Sequence, residues 1–270
     1  LKLYEAGSVI MDPIITLLTD FGLEDHYAAS VKGVALSICQ NARLVDVTHL
    51  IPPQDVRAGA FVLGAAYASF PIGSVHLAVV DPGVGTSRRA LAVSAHGHFF
   101  VGPDNGIFAW VLEGAPDYRA VSLENREYWR SRVSATFHGR DIFGPVAAHL
   151  ASGVPLEALG LPCTPSEPPW RQRPIIFEDI VEGEVIHVDR FGNAISNIRE
   201  SDIGAFVSGS RWTVHAAGRR VPLVFTYGEA ETGTPVALIG SCGHLEIAVV
   251  CGSAARKLGL RPGDPIQVLR

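Results

Sequence analysis

Apolar runs along the chain are cut by glycine, proline and aspartate, and the spacing within each run predicts the element it forms. Ile14 to Thr19 is a continuous apolar run that stops at Asp20, which predicts a buried strand. Ala28, Val31, Ala35 and Ile38 then recur at helical spacing over Tyr27 to Ile38. A second strand is expected over Leu44 to Val47, and a helix from about Asp55 to Phe70, stopped by Pro71-Ile72-Gly73. Val75 to Val80 reads as a third strand, Leu91 to Val101 as a hairpin turning at His96-Gly97, and Phe143 to Ala151 as a helix. Strands alternating with helices predict an α/β domain with a Rossmann-like, mostly parallel sheet.

The character changes after Pro162 to Pro174, which holds five prolines in thirteen residues and reads as a linker. Beyond it, Glu184 to Val188, Trp212 to Ala216, Val221 to Phe225, Pro235 to Ile239, Leu245 to Val250 and Ile266 to Leu269 are short strand-like runs between Gly-rich turns. They predict a smaller all-β barrel or sandwich domain. The expected division is therefore 11–165 and 175–270. Met11 is the only methionine, so it is the expected natural start, with 1–10 an added or upstream leader.

Composition narrows the function classes. Of 270 residues, 47% are hydrophobic and 18% charged, as in a globular protein able to bury a large core. A net charge of -5 with no Lys/Arg-rich run argues against nucleic acid as a partner. The longest apolar run, Ala58 to Phe70, is thirteen residues and too short to span a bilayer, and no signal peptide is evident. Cys39, Cys163, Cys242 and Cys251 show no Cys-x-x-Cys spacing, so reduced thiols in a cytoplasmic protein are expected, with Cys39 and Cys251 as buried small hydrophobes.

Candidate chemistry gathers at strand ends. Asp20 follows the first strand, Asp46 to His49 close the second, and Asp81 follows the third, ahead of a Pro-Gly-Val-Gly turn and the arginines Arg88 and Arg89. One such aspartate ordinarily caps a helix or turn. Three on parallel strands converge on the edge where open α/β sheets bind ligands. His138, Gly139, Arg140 and Asp141 add a second polar group, in which glycine permits close approach of the backbone.

VVDPGVG followed by SRR, TDFG at Thr19 to Gly22, DVTH at Asp46 to His49, GPDNG at Gly102 to Gly106, TFHGRDIF, and DRFGN at Asp189 to Asn193 occur in order over both halves. In these motifs the chain, from about Ile14 to its C-terminus, resembles the S-adenosylmethionine hydroxide adenosyltransferases, whose fold is similar to that of the fluorinating and chlorinating enzymes acting on the same molecule. The resemblance implies hydrolysis of S-adenosyl-L-methionine to adenosine and L-methionine, with S-adenosylmethionine as substrate and no further cofactor or metal. It implies that Asp81, Arg88 and His138 position and polarise a water, leaving open which of Asp81 and His138 takes the proton. Asp20 is implied to hold the ribose hydroxyls, Asp25 the methionine end, Phe191 and Asn193 the adenine, and Asp189 the methionine amine. Ser241 and Glu246 would lie near the amino-acid end. Tyr227 either covers the adenine or packs in the core. The halogenating relatives carry tyrosine where this chain has Asp81, and the fluorinase carries serine where it has Gly139, so water rather than halide is the expected nucleophile. A homotrimer with active sites at subunit interfaces is also implied.

Three other readings compete. A metal-dependent hydrolase would use Asp20, Asp25, His26, His49 and Asp81, although no ligand pair such as His-x-x-x-His is present. A halide-using adenosyltransferase would need a halide site beside Asp81. A non-catalytic adenosine-binding module would leave Asp81, Arg88 and His138 without a role.

Overall fold

The computed structural model describes residues 12–170, 173–207 and 212–269. The expected leader, 1–10, and the start at Met11 lie outside the described residues. Contacts divide the chain into two compact units, Leu1–Pro169 and Trp170–Arg270.

In the first unit the early elements are β1 (Ile14–Thr19), α1 (Tyr27–Ile38), β2 (Arg43–Thr48), α2 (Val56–Ala66) and β3 (Val75–Val79). There follow the hairpin β4 (Ala90–Ala95) and β5 (His98–Pro103), α3 (Ala109–Leu112), β6 (Arg119–Leu123), α4 (Gly144–Ala151) and β7 (Gly160–Pro162). The sheet order is β2-β1-β3-β5-β4-β6-β7. Strands β2, β1, β3 and β5 run parallel, while β4, β6 and β7 pair antiparallel. The β4–β5 hairpin turns where expected, at His96 and Gly97, both with positive φ.

Strand alternation explains why apolar runs this short are continuous. Ile15, Leu17, Val75, Leu77 and Val79 enter one core with Val31 and Ala35 of α1 and Val146 and Ala147 of α4. Leu18, Ala78 and Val80 point the other way, into a core with Ala58 and Leu63 of α2 and Val111 of α3. A strand covered on both faces has no polar side to show. The predicted helix from Asp55 ends at Ala66 and continues as one 3₁₀ turn, with Asp55 as N-cap accepting from the backbone N–H of Ala58 at 2.9 Å.

The second unit contains β8 (Ile175–Ile176), β9 (Ile180–Val188), β10 (Ala194–Arg199), α5 (Glu200–Val207), β11 (Thr213–Ala216), β12 (Arg219–Val221), β13 (Pro235–Ile239), β14 (His244–Val249), α6 (Ala254–Leu258) and β15 (Pro265–Leu269). Its order, β12-β11-β15-β9-β10-β14-β13, is antiparallel throughout. The sheet curls until the chain beyond β12 meets β13: Ala237 donates to the carbonyl of Pro222 at 2.8 Å and Val224 to that of Ala237 at 2.9 Å. The strand expected over Val221 to Phe225 is absent as such; Pro222 has no N–H, and pairing there is a single bridge at Leu223. Among the described residues no helix is long and apolar enough to cross a membrane.

Candidate active site

The three early strand ends do meet along one edge, because β2, β1 and β3 are adjacent and parallel. At the first two, the polar groups largely brace one another. The Nδ1 of His49 lies 2.8 Å from the Thr19 hydroxyl, its Nε2 lies 3.1 Å from Asp46, and Lys32 pairs with Asp46 at 2.6 Å. Asp20 accepts from the backbone N–H of Gln54 at 2.8 Å. Asp25 is exposed in the loop before α1.

The third end is built differently. Beyond Asp81 the chain doubles back, with Val84 donating to the Asp81 carbonyl at 3.2 Å and the Thr86 hydroxyl to the Gly83 carbonyl at 2.7 Å. Gly85 has φ +76°, and a Cβ there would sit 2.4 Å from the Ala135 carbonyl oxygen, so this loop and the segment carrying His138 lie together only because position 85 is glycine. The turn returns Arg88 to Asp81 in a two-pronged pair, Nε to Oδ1 at 2.8 Å and Nη2 to Oδ2 at 2.5 Å. The same Nη2 lies 2.9 Å from Nδ1 of His138. The guanidinium carbon also stands 5.1 Å from the centroid of the Phe143 ring. Both partners of the ion pair are largely buried, with side-chain exposures of 12% for Arg88 and 6% for Asp81.

His138 opens a π-helical turn, Gly139–Phe143, that runs into α4, so the helix begins earlier and wider than the expected start at Phe143. Asp141, fully buried, holds this segment: it accepts from Arg140 at 2.7 and 2.9 Å, from Arg130 at 3.2 Å and from the backbone N–H of Ser134 at 2.8 Å. Burial raises its pKa, but those hydrogen bonds outweigh the effect and leave it below the usual value, as a carboxylate. Its role was not evident from sequence, although it stands inside the TFHGRD motif. Gly139 is buried, and a Cβ there would come within 3.1 Å of Phe21. The pKa of His138 is lowered by burial and then by Arg88, against opposing pulls from Asp81 and Asp141. Arg89, a site candidate with Arg88, turns instead to Asp104 at 2.8 Å and the Thr164 carbonyl at 2.7 Å. Asp104 also receives the backbone N–H of Ser166 at 2.7 Å, so this pair fastens the first part of the Pro-rich stretch.

In the second unit, DRFGN is the turn between β9 and β10. Asp189 accepts from the backbone N–H groups of Phe191 and Asn193 at 2.9 and 2.8 Å and from the Asn193 side-chain amide at 3.0 Å. Gly192 has φ +86°, and a Cβ there would fall 2.0 Å from the Ser253 hydroxyl. The turn opens on a cavity of about 820 Å³ walled by Asp189, Phe191, Asn193, Tyr227, Cys251 and Arg256, among others. Phe191 is 78% exposed and Tyr227 43%, so neither is a core residue. The Tyr227 hydroxyl donates to Glu246, which is buried on β14 and whose pKa is raised chiefly by that burial. Glu246 therefore orients Tyr227. Ser241 is exposed in the β13–β14 turn and is not part of that wall. Cys39 is buried as expected; Cys251 is not, because it follows β14 in a left-handed turn, φ 54°, that carries it to the surface of this cavity. Arg256 in the same wall was not anticipated.

Among the described residues no three His, Cys, Asp or Glu side chains are grouped so as to hold a metal ion. The Asp20, Asp25, His26, His49 and Asp81 set accordingly does not form a ligand cluster.

The paired units match two family models, the SAM hydroxide adenosyltransferase N-terminal domain over residues 15–160 and the corresponding C-terminal domain over residues 183–267. The chain belongs to the SAM hydroxide adenosyltransferase family. It is 47% identical over 265 residues to the (R)-S-adenosyl-L-methionine hydrolase of Thermus thermophilus, covering 94% of this chain and 99% of the relative. With the hydrolase of the same name from Methanocaldococcus jannaschii it shares 33% identity over 95% of each chain. The fluorinase of Actinopolyspora mzabensis is 29% identical over 96% of this chain and 97% of its own. A crystal structure of an uncharacterized conserved protein from Thermotoga maritima superposes with a TM-score of 0.88 at 38% identity, covering 95% of this chain and 100% of that one. The hydroxide adenosyltransferase family thus extends over both units.

Proposed function

We propose that this chain hydrolyses S-adenosyl-L-methionine to adenosine and L-methionine by in-line attack of water on the ribose 5′ carbon. The observation that carries the reading is Arg88 joining Asp81 and His138 at the end of β3, in a chain 47% identical to a protein named for that hydrolysis. The sulfonium is a good leaving group, so sulfur needs no acid and the reaction no metal or further cofactor. Water is the difficult partner: with a pKa of about 15.7 it must be aligned and give up a proton as it attacks.

Asp81 takes that proton. A guanidinium can only donate, so Nδ1 of His138 accepts from Arg88 and the imidazole proton resides on Nε2. In that state His138 has no lone pair left for a proton, but its Nε2–H can hold the water oxygen. Asp81 retains acceptor capacity, since Arg88 uses one direction on each oxygen. The carboxylate at position 81 also repels a halide, which favours water over the fluorinase type of chemistry.

Asp20 and Asp25 would hold the ribose and methionine ends. Phe191 and Tyr227 would flank the adenine, with Asn193 offering its side-chain oxygen to the exocyclic amine while its nitrogen stays on Asp189. Gly139, Asp189, Ser241 and Glu246 complete the set. One substrate would then require groups from both units, and we assign them to neighbouring copies in a homotrimer, acting in the cytoplasm. Incubation with S-adenosylmethionine followed by product analysis tests the reading: adenosine plus methionine is expected. Turnover abolished by a chelator, or binding without turnover, would overturn it.

A further inference from the structure

Arg88 and His138 also form part of the wall of a second cavity, of about 630 Å³, which lies within the first unit and has no role in the reaction as described so far. Ala90 at the start of β4, Ser122 and Leu123 at the end of β6, and the loop residues Glu124, Arg126, Trp129, Arg130, Ser131 and Val133 supply much of the rest. Strand order fixes which side of the triad this is. Asp20 follows β1 and Asp81 follows β3, whereas the cavity lies beyond β5, at β4 and β6. At a strand spacing of about 4.8 Å, the end of β6 is roughly 14 Å from that of β3, on the side away from β1. Asp81, Arg88 and His138 therefore stand between Asp20 and the cavity.

The walls are polar and carry charge of both signs, as suits water. Arg88 and Arg89 pair with Asp81 and Asp104, Arg130 shares Asp141 with Arg140, and the Arg126 guanidinium stands 5.5 Å from the centroid of the Trp129 ring. Glu124 is exposed at the rim and accepts from the buried Ser122 hydroxyl at 2.5 Å.

We propose that this cavity is the chamber that supplies the attacking water and drains its proton, with Glu124 as the outlet. The inference rests on the hydrolysis reading. In-line displacement sets water and sulfur on opposite sides of the 5′ carbon, so a substrate bound from the Asp20 side closes that side to solvent and water must enter from the other. During each turnover a water O–H bond breaks as the O–C5′ bond forms, and the C5′–S bond breaks with its electron pair going to sulfur. The proton passes to Asp81, which lies behind Arg88 and outside the chamber wall, and leaves it by exchange with the next water drawn in past Arg88 and His138, reaching Glu124 and solvent through the chamber. A cationic sulfonium and water thus become a neutral sulfide, adenosine and one proton.

Ser131→Trp and Val133→Trp place bulk at the rim, where an indole can be added without disturbing the core, and Glu124→Gln removes the outlet. Wild-type hydrolysis, measured first, tests the reading on which this rests. Given folded variants by thermal melting, both plugs are expected to lower kcat at least about tenfold with KM for S-adenosylmethionine changed less than about twofold. Glu124→Gln should lower kcat and regain it with added imidazole buffer, which a purely structural role would not allow. Unchanged kcat in both plugged variants, or KM rising with kcat intact, would overturn the chamber. A Glu124→Gln loss that buffer does not restore would overturn the outlet.

Discussion

Nη2 of Arg88 lies 2.9 Å from Nδ1 of His138, and because arginine has no acceptor, this contact fixes the imidazole as the Nε2–H tautomer. The roles proposed for the triad rest on it. Asp81→Asn keeps the shape but removes the proton acceptor, and we expect kcat to fall by about 10²–10⁴ with little change in KM, as for loss of a general base. His138→Ala and Arg88→Ala should likewise lower turnover far more than substrate binding, whereas Asp20→Ala should raise KM. Steady-state kinetics on the four variants separate these outcomes, and near-normal turnover in Asp81→Asn would refute the assignment of the base.

The pH dependence carries a definite sign. The tautomer that accepts from Arg88 exists only in neutral histidine, and burial together with Arg88 holds the His138 pKa below its ordinary 6.5. Activity should therefore persist as pH falls through 6.5 and drop only below it. The unfolded chain takes up this proton first, so His138 also contributes stability above 6.5 that is lost toward acid. A kcat profile with its acid limb above pH 6.5 would contradict the tautomer.

Much of this arrangement was legible in sequence for identifiable reasons. Ile14 to Thr19 and Val75 to Val79 are buried on both faces, so their apolar runs end sharply where Asp20 and Asp81 leave the sheet. His96-Gly97 marks its hairpin by two left-handed positions. The π-helical turn at Gly139–Phe143 was hidden because one extra residue per turn leaves no periodic trace over five positions. Cys251 looked like core because its neighbours Val249 and Val250 are apolar, yet the chain has already turned left-handed there. The second cavity depends on Arg126, Trp129 and Arg130 meeting Arg88, about forty positions apart, a proximity no local pattern records.

Tyr227→Phe removes the hydroxyl donor of the buried Glu246, at a cost of about 1–3 kcal/mol. Urea unfolding should show that loss, and KM should rise as the ring loses its orientation. A variant as stable as wild type with unchanged KM would show that Glu246 does not position Tyr227.

Assembly has its own test. Asp81→Ala and Asn193→Ala each damage a different half of the proposed shared site. Mixed after dissociation and reassembly, they should regain part of the activity neither has alone, because some sites then draw an intact half from each parent. No recovery in mixtures shown to have exchanged subunits, or a monomer by light scattering, would contradict the trimer.

The most direct test of the central claim is the origin of the 5′ oxygen of adenosine. Hydrolysis of S-adenosylmethionine in oxygen-18 water should place the label on adenosine and leave methionine unlabelled, as attack by the Asp81-activated water requires. Label in methionine, or adenosine without it, would contradict displacement at the ribose 5′ carbon.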